Sequence, residues 1–278
     1  MPQTLRDIKQ LLAAHGLRPK HRLGQNFLHD HNQMAKLLDA ADVSDGDVVL
    51  EVGPGTGALT ERLLRRGARV VAVEIDRDLE PILLQQLEPW ADHLTLLFVD
   101  VLADKRTIHP AVFDALRQTD SHRRLPTFKL IANLPYSIAS PLLINLAAGV
   151  PQMTDAVVMV QKEVADRIRA EPGGKTYGPL SVMLQAMCDV QRVTTLSPGC
   201  FWPQPEIDSA VIRLTRKARP PQVDPHALSQ LLQTLFSRRR KQIGSILGRD
   251  HPLPAGVTPT MRPEQLDVEQ LTALARLA

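Results

Sequence analysis

The 278-residue sequence has few cysteines and lacks a long apolar run. Its two cysteines, Cys188 and Cys200, cannot form a disulfide framework, and the nine histidines show no metal-ligand spacing with them. No run of about 18 apolar residues is present to span a membrane, and the N-terminus carries acidic residues instead of the apolar core of a secretory signal. We therefore expect a cytoplasmic protein that contains no metal site and does not bind a membrane.

The net charge is small, +3, but it is distributed unevenly along the chain. Residues 1–30 carry five Lys/Arg against two Asp/Glu, residues 31–210 carry 17 against 23, and residues 211–278 carry 11 against five. Basic ends around an acidic middle are typical of a catalytic body whose flanks contact a polyanion, although solvated helix faces produce the same pattern. The charge pattern alone leaves both interpretations open.

From about residue 46, short β-branched runs alternate with helical patterns. Continuous apolar strands separated by helices predict a parallel sheet that is buried on both faces, which is a doubly wound, Rossmann-like α/β domain. Two further runs predict a final pair of strands at one edge of the sheet. The predicted strands are 47–53, 69–76, 94–100, 128–136 and 155–161, with the edge pair at 190–196 and 209–215, and helices are predicted at 58–66 and near 77–87.

After a charged, Pro-containing linker at 215–225, the pattern is helical only. Apolar residues follow the i, i+3, i+4, i+7, i+8 spacing of an amphipathic helix at positions 228, 231, 232, 235 and 236, and a last helix is predicted after Asp267. We therefore predict two domains: a catalytic domain at 1–215, which includes a basic arm at 1–30, and a small all-helical domain at 216–278 that could contact a polyanion.

The segment "EVGPGTG" at 51–57 follows the first strand of the predicted sheet and precedes a helix. Doubly wound folds bind nucleotides at this position, and glycines such as Gly53 let the backbone approach a ligand closely. The spacing is G-x-G-x-G instead of the dinucleotide pattern G-x-G-x-x-G, and a P-loop lysine is absent. NAD and ATP are therefore disfavoured, and a tight turn without a ligand is the alternative.

Acidic residues end the next two predicted strands. Glu74 lies 21 residues after Gly53, where a carboxylate can accept hydrogen bonds from both ribose hydroxyls. Asp100 ends the third strand and could accept a hydrogen bond from an adenine amino group, although a helix N-cap explains it equally well. These residues together predict an adenosine-containing cofactor without a demanding phosphate site, for which S-adenosylmethionine is the best candidate.

The fourth predicted strand ends in Asn133-Leu134-Pro135-Tyr136. If the methyl donor lies over the first strands, this loop faces the reactive methyl group and holds the acceptor. The Asn133 side-chain oxygen and a main-chain carbonyl near Leu134 could accept hydrogen bonds from an exocyclic amino group, while Tyr136 could stack on a flipped base. An ordinary loop is the alternative. A second aromatic segment contains Phe201 and Trp202, and we favour Phe201 as the ring that contacts the other face of the base.

With these residues in place, the chain resembles the ribosomal RNA adenine dimethyltransferase family, and within it the bacterial 16S rRNA enzymes. The resemblance extends over nearly the whole chain, and the ordered set of motifs is highly specific. The matching segments are "RLGQNFLHD" at 22–30, "LEVGPGTGALT" at 50–60, "VAVEID" at 71–76, "NLPYSIASPLL" at 133–143, "QKEVADRI" at 161–168, "TYGPLSVMLQ" at 176–185 and "FWPQPEIDSAV" at 201–211. Gln204 departs from the family pattern, which commonly has proline there.

The resemblance implies that the protein transfers methyl groups to two adjacent adenosines in a hairpin near the 3′ end of 16S rRNA. By motif, it implies that Asn133, Tyr136 and Phe201 hold the target base. The implied S-adenosylmethionine site consists of Asn26, Leu28, Gly53, Glu74, Asp100 and Asn133. Asn26 and Leu28 follow from the resemblance alone. The alternatives are a 23S rRNA adenine methyltransferase of the macrolide-resistance type, an assembly factor whose catalysis is dispensable, and a DNA adenine methyltransferase.

A basic cluster follows the amphipathic stripe near the C-terminus. It consists of Arg238, Arg239, Arg240 and Lys241, and we expect some of its members to contact RNA phosphates. Lys20 and Arg22 add positive charge from the N-terminal side. A solvated helix face is the alternative for the cluster. The predicted partner is 16S rRNA in the small ribosomal subunit or its precursor, bound by a monomer.

Overall fold

The computed structural model describes residues 3–120, 122 and 124–277, so residues 1 and 2 of the predicted arm lie outside the described part. Eleven strands are present in that part of the chain. They are Phe27–Leu28 (β1), Val48–Val52 (β2), Arg69–Val73 (β3), Leu94–Leu97 (β4), Leu102–Asp104 (β5), Thr107–Ile108 (β6), Phe128–Asn133 (β7), Met153–Gln161 (β8), Cys188–Leu196 (β9), Phe201–Trp202 (β10) and Ser209–Arg216 (β11).

The α-helices of the described chain connect and cover these strands, with short 3₁₀ turns at His21–Leu23, Arg77–Leu79, Glu88–His93, Pro198–Cys200 and Pro263–Gln265. The α-helices are Leu5–Ala14 (α1), His31–Ala41 (α2), Ala58–Arg65 (α3), Glu80–Leu87 (α4), Pro110–Gln118 (α5), Ala139–Gly149 (α6), Lys162–Ile168 (α7), Pro179–Met187 (α8), Pro225–Ser237 (α9), Ile243–Leu247 (α10) and Val268–Ala275 (α11).

Seven strands form the central sheet, in the order β4-β3-β2-β7-β8-β11-β9. The neighbours from β4 to β8 are parallel, and β11 is antiparallel to both β8 and β9. After β2 the chain builds outward through β3 and β4, and it then returns to place β7 on the other side of β2. Because the strand order reverses there, the carboxyl ends of β2 and β7 border a crevice where doubly wound folds bind ligands.

The apolar strands of the sheet are buried on both faces. Alternate side chains of β2 enter two different hydrophobic clusters, with Leu50 and Val52 in one and Val49 in the other. This arrangement confirms the predicted doubly wound α/β fold. The edge pair β9 and β11 is also confirmed, and α3 ends at Arg65, one residue earlier than predicted.

The C-terminal segment is helical, as its periodicity predicted. Leu228, Leu232 and Leu235 on α9 are fully buried, as are Leu271 and Leu274 on α11. These side chains join the hydrophobic cluster that also contains α6 and α8, so the C-terminal helices pack against the body instead of enclosing a core of their own. The boundary between residues 215 and 216 stays a prediction.

The pairing of β1 with β10 was not predicted from the sequence. Phe27 lies opposite Trp202 and Leu28 lies opposite Phe201 in this two-stranded antiparallel sheet. The pairing attaches the N-terminal arm to the segment that follows Cys200 and places the arm over the central sheet. Among the described residues, no helix has both the length and the apolar character needed to cross a bilayer.

Candidate active site

A cavity of about 260 Å³ lies at the carboxyl ends of the parallel strands, at the position where the strand order reverses. The cavity is lined by the N-terminal arm, the glycine loop after β2, the segments that follow β3 and β4, and the loop after β7. Tyr136 and Arg22 lie on its wall, whereas Phe201, Lys20 and the 238–241 cluster do not. The structure also places all six predicted cofactor residues there: Asn26, Leu28, Gly53, Glu74, Asp100 and Asn133.

The glycine loop has a backbone that other residues rarely adopt. Gly53, Gly55 and Gly57 have φ angles of +74°, +59° and +84°, in the left-handed region. The loop is also crowded, because a Cβ on Gly55 would lie 3.0 Å from the Phe27 ring and a Cβ on Gly53 would lie 3.5 Å from Pro135 Cδ. The glycines therefore let the arm and the loop after β7 approach the end of β2.

Glu74 follows β3, and its carboxylate is held by backbone amides. It is 5% exposed, and it accepts hydrogen bonds from the amides of Asp76 at 2.8 Å and Gly55 at 3.3 Å. Burial raises the pKa of Glu74, while the two amides act in the opposite direction. The carboxyl group is therefore fixed at the cavity wall beside the glycine loop, where a ribose hydroxyl could donate to it.

Asp100 is exposed at the rim of the cavity and accepts a hydrogen bond from the amide of Leu102 at 2.9 Å. Leu102 begins β5, so Asp100 caps a turn before a strand instead of a helix N-terminus, which was the alternative considered from the sequence. Ile75, the residue after Glu74, is 47% exposed on the cavity wall. A ligand with an apolar ring could cover this side chain, and the sequence offered no signal for it.

Asn133 joins the loop after β7 to the N-terminal arm. Its amide nitrogen donates to the main-chain carbonyl of Asn26 at 3.0 Å, and the side chain of Asn26 donates to the carbonyl of Gly24 at 3.2 Å. Because the nitrogen of Asn133 is engaged with the arm, its side-chain oxygen remains as the acceptor. The backbone of the loop is also held in place, because the amide of Leu134 donates to the carbonyl of Met159 at 3.1 Å.

Tyr136 is anchored at its hydroxyl group. The hydroxyl lies 2.8 Å from Oγ of Ser209, a fully buried residue at the start of β11. Burial raises the pKa of Tyr136, with the Ser209 hydrogen bond opposing it, so the phenol stays protonated at neutral pH. The anchored ring presents a fixed, neutral aromatic surface at the cavity.

Phe201 lies away from the cavity wall, contrary to expectation. Its side chain is 1% exposed and packs in the hydrophobic cluster beneath the arm, where its strand pairs with Leu28. A ring buried to this degree cannot stack on a base in the present arrangement. Trp202 is the more exposed of the two rings and stacks on Phe27, with 6.5 Å between the ring centroids. Sequence spacing could not reveal which of two adjacent aromatic residues points into the core.

The predicted RNA-contacting cations fall into two groups. Lys20 forms ion pairs with Asp76 and Asp78, both at 2.5 Å, and Arg239 pairs with Glu264 at 2.7 Å. These two cations therefore have carboxylate partners within the fold, and their contact with RNA phosphates stays a prediction. The exposed cations are Arg22 at the cavity rim and Arg238, Arg240 and Lys241 after α9.

Glu51 is a cavity residue for which no role was predicted from the sequence. Its side chain is 1% exposed, and its Oε2 has no hydrogen-bond partner among the described protein atoms. Burial raises the pKa of Glu51 to about 8, and the nearby charge of Glu74 acts in the same direction. The available signal was an acid inside the otherwise apolar strand β2, because a buried carboxyl group is unusual unless it has a partner.

A doubly wound sheet with this glycine loop, an acid after β3 and an asparagine at the end of β7 defines the class of S-adenosylmethionine-dependent methyltransferases. The cavity fits this donor. Glu51 has a carboxyl oxygen available for a polar ligand group, the glycine loop leaves room for a close approach, and Glu74 presents a fixed acceptor.

Comparisons with known proteins define the family. The model of the family described as "Ribosomal RNA adenine dimethylase" matches residues 16–276, so the chain belongs to this family. The ribosomal RNA small subunit methyltransferase A of Phenylobacterium zucineum is 42% identical over 278 residues, covering 98% of this chain and 93% of the relative. The protein of the same name from Pseudomonas aeruginosa is 38% identical over 270 residues, covering 94% of each chain.

The solved structures that are similar over most of this chain include two transferases. A dimethyladenosine transferase from Plasmodium falciparum gives a TM-score of 0.72 at 25% identity and covers 89% of this chain and 95% of its own. The 23S rRNA methyltransferase ErmE gives a TM-score of 0.64 at 25% identity and covers 90% of this chain and 100% of its own. The family, the fold class and S-adenosylmethionine as the methyl donor, all predicted from the sequence, are confirmed.

Proposed function

We propose that the protein transfers methyl groups from S-adenosylmethionine to the exocyclic amino groups of two adjacent adenosines in a hairpin near the 3′ end of 16S rRNA. The products are dimethyladenosines, made on the small ribosomal subunit or its precursor during subunit biogenesis in the cytoplasm. The observation that carries this proposal is the position of Asn133, whose side-chain oxygen is left as an acceptor at the cavity by its bond to Asn26. The near full-length similarity to small-subunit methyltransferases supports the choice of substrate.

In the proposed site, the donor is held by Asn26, Leu28, Gly53, Glu74, Asp100 and Asn133. When bound, S-adenosylmethionine supplies an electrophilic methyl group. Glu74 is suited to accept hydrogen bonds from the ribose because its carboxyl group is already fixed by two backbone amides. Glu51 has a free carboxyl oxygen for a further polar group of the donor.

Asn133 orients the acceptor base. The lone pair of an exocyclic amino group is delocalised into the adenine ring, which makes the nitrogen a poor nucleophile. Hydrogen-bond acceptors aimed at its N–H bonds favour a pyramidal nitrogen and stabilise the positive charge that develops as it attacks. The Asn133 oxygen and a main-chain carbonyl near Leu134 supply these acceptors, and Pro135 keeps the loop rigid.

No side chain of the loop is proposed to act as a general base. Tyr136 is the nearest titratable group in the sequence, and its raised pKa keeps the phenol protonated. The methylated nitrogen is a strong acid and releases its proton to water without a tuned acceptor. Tyr136 therefore acts through its ring, as a surface on which the extruded adenine stacks.

Two methyl groups reach one nitrogen in this proposal. After the first transfer a single N–H remains, so the methylated base must turn its new methyl group away from one acceptor and keep the lone pair directed at the donor. Asn133 retains one hydrogen bond in either step. The space beside Tyr136 must consequently accommodate a methyl group, and Phe201 contributes to that space only if its segment moves out of the core.

A 23S rRNA adenine methyltransferase is the second candidate, because ErmE shares the fold across nearly the whole chain. The small-subunit methyltransferases favour the first candidate, since they match this chain at 38–42% identity, against 25% for ErmE. An assembly factor with dispensable catalysis is the third candidate. We further propose that the protein acts as a monomer and without a metal ion.

Mapping of the methylated nucleotides tests the proposal. Small subunits that lack the modification are incubated with the protein and labelled S-adenosylmethionine, and the labelled nucleotides are located. The expected result is two adjacent dimethyladenosines in the 3′ hairpin of 16S rRNA, with the initial rate of labelling lowered by about 10²- to 10³-fold when Asn133→Ala replaces the wild type. Label in 23S rRNA or in DNA would overturn the assignment, and transfer-deficient protein that still restores subunit assembly would favour the assembly factor.

A further inference from the structure

Trp202 forms one wall of a shallow depression beside helix α1. The depression is separate from the active-site cavity, since none of its lining residues contributes to the cavity wall. We call it the Trp202 surface. It is lined by Trp202 together with Lys9, Leu12, Ala13, Gly16, Leu17 and Arg18.

The Trp202 surface combines small, exposed residues with an aromatic ring. Ala13 and Gly16 are both exposed and carry little or no side chain, and the space above Gly16 is open because a Cβ there would meet no atom within 4 Å. The Trp202 ring is partly exposed beside these residues. A planar, partly apolar group could therefore lie against the ring without displacing a bulky side chain.

Two cations lie at the edge of this surface. The Lys9 ammonium is 5.3 Å from the centroid of the Trp202 ring, and Arg18 is exposed. Among the described residues, neither of these cations takes part in an ion pair. The acid on the same helix, Asp7, is engaged in the capping box with Thr4, at 2.7 Å from the amide of Thr4. The surface is thus positively charged and offers donors to an anion.

An aromatic ring beside unpaired cations matches the chemistry of a nucleotide. A base stacks on the ring, and its phosphate binds the cations. The Lys9 ammonium is on a long, exposed side chain, so it can leave the ring face for a phosphate with little loss. A protein or lipid partner is less well matched, because Leu12 is only 2% exposed and the large apolar groups left on the described surface are the Trp202 ring and the partly buried Leu17.

The Trp202 surface also adjoins the acceptor site. Trp202 stacks on Phe27 and pairs with it across β1 and β10, and Phe27 is on the cavity wall. The residue before Phe27, Asn26, accepts the hydrogen bond from Asn133. The side chain of Phe27 therefore separates the Trp202 surface from the cavity. This separation suits a neighbouring nucleotide of the same RNA strand.

We propose that the Trp202 surface binds a nucleotide that flanks the target adenosines, with its base stacked on Trp202 and its phosphate bound by Arg18 and Lys9. The inference rests on the proposed function and adds a second binding subsite for the same RNA. Extruding an adenosine removes the stacking partner of its neighbour, and the Trp202 ring replaces that partner.

Tryptophan fluorescence tests the stacking directly. The chain has two tryptophans, Trp90 and Trp202, and Trp90 resembles Trp202 in having a cation, Arg65, 5.0 Å from its ring centroid. In the Trp90→Phe variant the hairpin RNA of the 16S 3′ end should quench the remaining emission on binding. In the matched Trp202→Phe variant the emission should stay unchanged. Equal responses from the two variants would overturn the inference.

An abasic probe identifies the nucleotide. Hairpins are made in which the base on one side, or on the other side, of the adenosine pair is removed while its phosphate is kept. One of the two abasic hairpins should fail to quench Trp202 and should bind to the wild type more weakly than the other. The Trp202→Leu variant should bind the two abasic hairpins with equal affinity. Quenching that persists with both abasic hairpins contradicts stacking of a flanking base.

Methylation kinetics separate this subsite from a structural role. Trp202→Leu should raise the KM for RNA by roughly 5- to 100-fold, as expected when one base–aromatic stack is removed, with kcat and the affinity for S-adenosylmethionine unchanged. Trp90→Leu is the control and should leave all three unchanged. A fall in donor affinity or kcat with an unchanged KM would mean that Trp202 only supports Phe27.

The cations are tested singly. Arg18→Gln and Lys9→Gln should each lower the dependence of RNA binding on salt by up to about one log unit, while Arg65→Gln should not. Failure of this inference is distinguishable from failure of the proposed function. If only this inference is wrong, the wild type still methylates the 16S adenosines, but RNA does not quench Trp202 and Trp202→Leu does not raise the KM for RNA. If the wild type did not methylate them, the quenching measurement would still report on the subsite.

Discussion

The side-chain amide nitrogen of Asn133 lies 3.0 Å from the main-chain oxygen of Asn26, a residue 107 positions earlier in the chain. This hydrogen bond fixes the orientation of the Asn133 side chain and ties the N-terminal arm to the end of β7. The arm that closes one side of the cavity and the side chain that would hold the base are therefore coupled. Loss of either partner should affect the other.

Asn133→Ala should lower the rate of single-turnover methylation by about 10²- to 10³-fold, as for removal of one preorganised hydrogen-bonding group, with a smaller effect on RNA binding. Asn145→Ala is the matched control, because Asn145 lies on α6 and donates to the carbonyl of Lys105 outside the cavity. Rapid-quench measurements with labelled donor provide the rates. Transfer of both methyl groups at near wild-type rates would make Asn133 an ordinary loop residue.

Glu74→Ala should weaken the binding of S-adenosylmethionine by about 1.5 to 3 kcal/mol, the contribution of hydrogen bonds to a charged group. Isothermal titration calorimetry measures the affinity. The exposed Glu80, just after the turn that follows β3, provides the control Glu80→Ala, which should bind normally. Because Glu74 also accepts hydrogen bonds from two backbone amides, the thermal unfolding of the variant must be measured as well as its affinity. Unchanged affinity would remove Glu74 from the donor site.

Glu51→Gln should change the pH dependence of stability. The pKa of Glu51 is raised to about 8 in the folded protein, so the folded state binds the proton more tightly than the unfolded state. The resulting stabilisation is complete below the ordinary carboxyl pKa and is lost as the pH rises through about 8. Glutamine is neutral at every pH, so the variant does not lose this stabilisation when the pH rises.

The melting temperature of Glu51→Gln relative to the wild type should therefore rise between about pH 5 and about pH 8, and level off above that range. The upper limit is about 1.4 kcal/mol for each unit by which the pKa is raised. Differential scanning calorimetry at several pH values follows the difference. A constant difference across this range would show that Glu51 has a normal pKa.

The basic cluster after α9 should divide into two functional groups. Replacing Arg240 and Lys241 by glutamine should reduce the salt dependence of RNA binding by roughly one log unit for each ion pair with a phosphate that is removed, while leaving the melting temperature unchanged. Filter binding at several salt concentrations gives the slope. If the slope stayed the same, the RNA would bind elsewhere on the protein.

Arg239→Gln is expected to behave differently from its neighbours. Arg239 pairs with Glu264 at 2.7 Å and donates to the carbonyl of Lys175 at 3.1 Å, so its replacement should lower stability by up to about 1 kcal/mol. The salt slope of RNA binding should remain that of the wild type. A variant of normal stability with a lower slope would return Arg239 to the RNA-binding surface.

The local chemistry of the chain was sufficient to predict the sheet, the glycine loop and the positions of Glu74 and Asn133. Apolar strands that alternate with helices specify a buried parallel sheet, and the side chains that follow such strands must gather at one edge of it. Gly53 and Asn133 are 80 residues apart in the sequence, yet their meeting follows from this rule alone. Helix α9 was predictable for the same reason, because its amphipathic spacing is a local pattern in the sequence.

Contacts between distant segments decided the rest. Phe201 is buried because the two-residue strand β10 pairs with β1, and a strand that short leaves no period in the sequence. Lys20 and Arg239 have carboxylate partners 56 and 25 positions away, so a count of charges could not separate them from cations that face solvent. Residue type and spacing determined which chemistry gathers at the cavity, whereas the side chain that each ring or charge meets depended on three-dimensional packing, which no local pattern encodes.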